Sequence, residues 1–213
     1  MRWLSPLALI VIVIVVGGTA TAGSPVRKPP RAEAVRDCRT HVEGRLPRAD
    51  RRKDFLAGPV RFRGFRAYSR FAARRPRRVL FEIPGGHYRG IKFVTEVRAG
   101  VDVTVAIGPP SRDSAGLLFD LNGKSGPSGI RLRWSDRAVR FRGCPEDRPA
   151  SNPRFYRRAT VGPWTQFNGG FLFTGPQCLV IDVYVRGRAP RRFVEPFARS
   201  RKSCRTRSAS PAG

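Results

Sequence analysis

Two histidines, His41 and His87, are the only imidazoles in this 213-residue chain. That count leaves little room for His-based hydrolytic machinery, and no G-x-S-x-G, H-E-x-x-H or G-x-G-x-x-G occurs. His87 sits in Gly85-Gly86-His87-Tyr88, between apolar alternations. Proton transfer there needs a carboxylate, for which Glu82 and Glu96 are the candidates; without one it reads as a surface histidine. Asp102 and Asp182 lie within alternating runs and form a carboxylate pair only if the fold brings them together. Otherwise they are solvent-face residues opposite arginines. Gly123-Lys124-Ser125 has the end of a phosphate-binding loop but lacks its first glycine, since Leu118 stands there, so it reads as a hairpin turn. No catalytic residue, metal site or cofactor is therefore expected.

Four cysteines remain, Cys38, Cys144, Cys178 and Cys204, spaced by 106, 34 and 26 residues with no C-x-x-C. These spacings fit neither a zinc knuckle nor a thioredoxin-type motif, so two structural disulfides are expected. Three connectivities are open. Placement just outside apolar alternations favours Cys144–Cys178, and Cys38–Cys204 would then tie the N-terminal segment to the polar tail.

Positive charge is the other chemical resource. Lys and Arg total 42 against 15 Asp and Glu, a formal net charge of +27, and only five of the 42 are lysine. Arg, Gly, Pro and Ala share GC-rich codons, and the chain has only three Asn, so genome composition accounts for part of the skew. A field this positive still draws anionic surfaces and is screened by salt. The densest runs are Arg51-Arg52-Lys53 and, around Pro76, Arg74, Arg75, Arg77 and Arg78, with Phe55, Phe62, Phe65 and Phe71 between them. These seven basic residues are the candidate anion-binding set. Basic and aromatic interleaving also marks single-strand grooves, but inward phenylalanines beneath wet arginines produce the same pattern, and no nucleic-acid partner is expected.

The compartment follows from the N-terminus. Arg2 precedes an apolar run, Leu7 to Val16, and small residues then close on Ala20-Thr21-Ala22. These are the three parts of a secretory signal peptide, with Ala20 and Ala22 as the A-x-A cleavage site. Cleavage leaves 191 residues of net charge +26 (27 − 1, since Arg2 is the one charge removed). Trp3 to Val26 is also uncharged and long enough to span a membrane if it stays uncut; the membrane would be touched only through this segment. The expected location is secreted or extracytoplasmic.

These residues need a scaffold to place them. Residues 23–33 read as a disordered basic linker and 205–213 as a disordered tail, leaving one β domain over 34–204. Val35, Cys38 and Val42 suggest a short helical patch, and the 45–78 phenylalanines suggest edge strands. Val79/Phe81/Ile83, Ile91/Phe93/Val97, Val101/Val103/Val105/Ile107, Ile130/Leu132/Trp134, Val139/Phe141 and Leu179/Ile181/Val183/Val185 each recur with a period of two. Pro109-Pro110 stops one run and Asn122-Gly123 turns another, while Phe167-Asn168-Gly169-Gly170-Phe171 reads as a tight turn. Eight or nine short strands with one buried face each predict an all-β fold, a single antiparallel sandwich or jelly-roll-like domain.

Several of these segments carry a resemblance. They are Val101-Asp-Val-Thr-Val-Ala-Ile107 before its Pro-containing loop, Val139-Arg-Phe-Arg-Gly-Cys144-Pro145, Thr165-Gln-Phe-Asn-Gly-Gly-Phe171, Cys178 seven residues later, and Pro196-Phe197 before Cys204. Together they resemble a group of small exported proteins of unknown function from high-GC Gram-positive bacteria. Ala198 stands where that pattern would have Gly. The resemblance implies an exported β domain with cysteines paired near strand ends, and implies no activity. The expected function is a non-catalytic secreted or envelope protein whose basic face binds anionic cell-surface polymers or lipid headgroups. The competing expectation is an extracellular hydrolase acting on carbohydrate or peptide.

Overall fold

A computed structural model describes residues 28–42, 47–75, 82–83, 86–119, 129–146 and 162–205. The signal segment with Ala20 and Ala22, the Val79/Phe81 alternation, the Asn122-Gly123 turn with Lys124 and Ser125, and the last eight residues lie outside them, as do Arg77 and Arg78.

Two five-stranded sheets face each other, as the alternation predicts. The first joins β1 (Ala34–Arg36), β7 (Asp102–Ile107), β9 (Ala138–Arg142), β11 (Gln177–Val185) and β12 (Arg191–Phe197) in the order β1-β9-β7-β11-β12. The second joins β2 (Phe55–Ala57), β3 (Val60–Phe62), β6 (Gly90–Arg98), β8 (Ala115–Leu118) and β10 (Trp164–Phe173) in the order β2-β3-β6-β10-β8. β4 (Glu82–Ile83) and β5 (His87–Tyr88) form a separate two-stranded ribbon. All pairings are antiparallel except β1 with β9.

Phenylalanine fills the space between the sheets. Phe55, Phe62, Phe65, Phe171, Phe173 and Phe197 are fully buried, with ring centroids 5.5 Å apart for Phe55–Phe62, 5.0 Å for Phe62–Phe171 and 3.7 Å for the stacked Phe173–Phe197 pair. Phe141 links Phe119 and Phe167 in a second group. Each ring removed from water is worth about 1.5–3 kcal/mol. Three of the four phenylalanines between the basic runs thus point inward, and only Phe71 is exposed.

The structure departs from the local sequence pattern in four places. The 45–78 segment holds not only edge strands but also α1 (Phe65–Arg74), whose buried Phe65, Ser69 and Ala72 lie at helical spacing against β12. Residues 34–42 form β1 and a turn instead of a helix, because β1 finds a parallel partner in β9. Leu132–Trp134 is a 3₁₀ turn, not a strand, and Trp134 is exposed. Asn168-Gly169-Gly170 is the middle of β10, not a turn. The glycines are there for close approach: a Cβ on Gly170 would come within 2.1 Å of the Ile91 carbonyl oxygen, and one on Gly169 within 2.1 Å of the Phe119 ring.

The disulfides pair Cys38 with Cys144 and Cys178 with Cys204, with Cα atoms 5.4 and 5.5 Å apart. The expected Cys144–Cys178 and Cys38–Cys204 bonds are not formed. β9 and β11 flank β7 and run parallel to each other, and Cys144 follows the end of β9 whereas Cys178 begins β11. The two sulfurs are therefore at opposite ends of the sheet, about 30 Å apart at about 3.3 Å per residue, far beyond the roughly 7 Å limit for bridging. The parallel β1–β9 register instead carries Cys38 to Cys144, and α2 (Lys202–Arg205) returns Cys204 to the β11–β12 hairpin.

Candidate anion-binding cleft

The arginines that the fold gathers are mostly not those of the two dense runs. At one end of the sandwich, the β2–β3 turn, the end of β6 and the start of β10 face the β11–β12 turn. The cleft between them measures about 940 Å³ and is lined by Arg51, Arg61, Arg66, Arg98, Arg188 and Arg191, with Trp164, Val185 and Phe193 among its apolar walls. Among the described residues no carboxylate lines it. Alternation explains the placement: in Val60-Arg61-Phe62 the apolar neighbours are buried, so Arg61 points outward. Its guanidinium lies 3.2 Å above the Trp164 ring. Burial lowers its pKa below the usual arginine value while the Glu96 carboxylate pulls it back up; the group stays charged at any physiological pH.

A second cleft of about 620 Å³ opens on the other side of Arg51 and Arg66, which line both. Its further arginines are Arg52 and Arg70 near α1 and Arg199 and Arg201 after β12. A short network holds the ridge between the two. Asp54 accepts the Asp50 and Gly64 amides at 2.8 and 2.7 Å and pairs with Arg63 at 3.3 Å, fixing the 50–54 turn to the start of α1. Arg66 and Arg70 then donate to the Arg51 and Arg52 carbonyl oxygens, each at 2.6 Å. Glu195 receives Arg66 through two bonds of 2.7 and 2.6 Å.

The acids near this surface are little exposed, and one of them, Glu195, lines the second cleft. Asp54, Glu96, Asp182 and Glu195 are all buried, and each meets a guanidinium: Arg63, Arg63 again, Arg192 and Arg66 respectively. Arg51, Arg98, Arg188 and Arg191 have no carboxylate partner among the described residues. Their charge faces the cleft unopposed. Guanidinium forks match carboxylate and phosphate oxygens in bidentate geometry, so the arrangement can hold oxyanions chemically.

Of the sequence-derived candidates, Arg51 lines both clefts and Arg52 the second. Lys53 is exposed in the same turn, and Arg74 and Arg75 lie at the far end of α1, outside both clefts. Arg61 is not among those candidates, although the alternation of Val60-Arg61-Phe62 carries a signal for it. Arg98, Arg188 and Arg191 have no such signal, because only the packing of one sheet end on the other brings them together.

Asp102 and Asp182 do not form a pair. Register places Asp182 opposite Ala106, four residues up the sheet from Asp102, which is about 13 Å at about 3.3 Å per residue. Glycosidic carboxylates sit about 5–10 Å apart. Each aspartate is instead bound by its own arginine, Asp102 by Arg140 and Asp182 by Arg192. Hydrogen bonding from Arg140 holds the Asp102 carboxyl below the usual carboxylate range, and reciprocally raises Arg140. His87 takes its contacts from Arg131, 3.3 Å from Nε2, and from the Trp134 ring, while Glu96 is engaged by Arg63. Among the described residues no group of three His, Cys, Asp or Glu could hold a metal ion, and no helix is long and apolar enough to cross a membrane.

No protein-family model, curated protein or solved structure matches the chain. The chain is a mostly β protein of two packed sheets with two disulfides and an arginine-lined cleft at one end.

Proposed function

We propose that this is a non-catalytic, exported protein of the cell envelope or its surroundings that binds anionic surface material through the arginine-lined cleft. The observation that carries the reading is the convergence of six arginines on one cleft with no carboxylate among the described residues that line it. Two disulfides are compatible with an extracytoplasmic location, and the N-terminal sequence supports export. Arg has no accessible neutral form, so binding should be flat with pH between about 5 and 9 and should depend on ionic strength.

The test is retention of the purified protein on immobilised anionic polymer and on vesicles containing anionic lipid. Retention at low salt that is released by a few hundred millimolar salt, and lost in Arg188→Glu/Arg191→Glu, supports the reading. Retention that ignores salt, or absence of retention at low salt, overturns it.

A further inference from the structure

We propose that the two arginine-lined clefts are successive subsites for one linear, phosphate-bearing polyanion that crosses the ridge formed by Arg51 and Arg66. The inference rests on the anion-binding reading and adds the shape and chemistry of the ligand.

Three observations carry it. First, the clefts are contiguous. Arg51 and Arg66 line both, so a chain leaving one enters the other without losing guanidinium contact. Second, the two clefts together offer more room than a single phosphate group fills. The clefts measure about 940 and 620 Å³, and either alone has the volume of a site for a drug-sized molecule, about 300–1,000 Å³. Third, charge is presented from opposing walls: Arg61 and Arg98 come from one sheet, Arg188 and Arg191 from the turn and strand of the other. A planar carboxylate is satisfied by one fork in its plane, as Glu195 is by Arg66 and Asp182 by Arg192 in this molecule. A tetrahedral phosphate offers oxygens in several directions and suits guanidinium groups arriving from two walls.

The aromatic groups disfavour a nucleic-acid strand. Single-strand grooves stack bases on open rings. Here Trp164 carries the Arg61 guanidinium on its face at 3.2 Å, and Phe193 carries Arg191 at 5.4 Å. These rings are already serving as platforms for arginine. What the surface recognises is the repeating oxyanion.

The test compares tripolyphosphate with long-chain polyphosphate on the purified protein by titration calorimetry at low salt. Two linked subsites predict that the long chain binds at least about tenfold more tightly, since engaging the second cleft becomes intramolecular. Arg199→Ala/Arg201→Ala, confined to the second cleft, should abolish that length advantage. Arg74→Ala/Arg75→Ala removes the same charge outside both clefts and should leave it intact. Equal affinity for both lengths, with binding retained, overturns the two-subsite track while the anion-binding reading survives. Equal losses from the two double variants also overturn the track, because they reveal diffuse attraction. Tighter binding of a polycarboxylate or of single-stranded nucleic acid of matched length overturns the phosphate assignment. Failure of every polyanion to bind at low salt removes the anion-binding reading itself.

Discussion

Replacing Glu195 by Gln should lower stability and raise anion affinity at the same time. Glu195 is 4% exposed and holds Arg66 through two bonds of 2.7 and 2.6 Å. Removing one partner of a buried pair costs about 3–5 kcal/mol, most of it from the charge left uncompensated. The Arg66 side chain keeps 19% exposure and borders both clefts, so water relieves part of that cost and we expect a loss of about 2 kcal/mol. With a urea dependence of about 2 kcal/mol per molar, the unfolding midpoint should fall by about 1 M. The same substitution deletes a negative charge about 6 Å from an oxyanion bound on the outer edge of Arg66. Coulomb's law gives about 0.7 kcal/mol at the dielectric of water and about 2.8 kcal/mol at an effective value of 20. In an open cleft the lower figure is nearer, so polyphosphate affinity should rise about three- to tenfold. Urea unfolding and calorimetric titration of one protein preparation check both halves. A stability loss with unchanged or weaker binding would refute the placement of Arg66 in the ligand's path.

Three other outcomes are expected. Partial proteolysis and mass spectrometry without reduction should recover peptides joining Cys38 to Cys144 and Cys178 to Cys204, and removing the first bond should destabilise more than removing the second. Loop-closure entropy puts them at about 4.8 and 3.5 kcal/mol for separations of 106 and 26 residues. Ala198→Gly should stabilise by about 0.5–1 kcal/mol by thermal melting, because Ala198 has φ 52°, a left-handed conformation that costs an L-residue about 1–2 kcal/mol, partly offset by the chain entropy of glycine. Asp102→Asn should cost below about 1 kcal/mol at pH 6, since the Asp102 and Arg140 side chains remain 29% and 39% exposed. The Asp102 carboxyl is depressed in the folded protein, so its contribution is present above the unfolded pKa of about 3.9 and lost as pH falls through the folded value. The stability difference between wild type and variant, measured by urea unfolding, should therefore shrink below about pH 4.

Strand content was readable wherever alternation ran long enough to repeat. Val103, Val105 and Ile107 in β7, and Leu179, Ile181 and Val183 in β11, are all buried as their spacing requires. Reading failed where a distant partner outweighed the local signal. Val35, Cys38 and Val42 have helix-compatible spacing, yet Ala34–Arg36 gains a parallel ladder from β9, more than a hundred residues away. Gly169-Gly170 carries the composition of a turn, yet it sits in a long central strand because neighbouring groups leave no room for a side chain. The spacing of Phe65, Ser69 and Ala72 was a helix signal present in the sequence, masked by the surrounding arginines.

By itself the sequence determined an all-β class, two disulfides' worth of cysteine and a large excess of arginine, because alternation and composition are local properties of the chain. Tertiary structure alone decided which cysteines bond and which arginines act together. Sheet order separates Cys144 from Cys178 by the length of a strand. Packing one sheet end over the other brings Arg61, Arg98, Arg188 and Arg191 onto a single cleft from positions scattered over much of the chain. Asp54, Glu96 and Glu195 are taken up by Arg63 and Arg66, which leaves Arg51, Arg98, Arg188 and Arg191 without a carboxylate partner among the described residues. Carboxylates and guanidinium groups are equally visible as letters, but only depth in the fold determines which of them meets solvent.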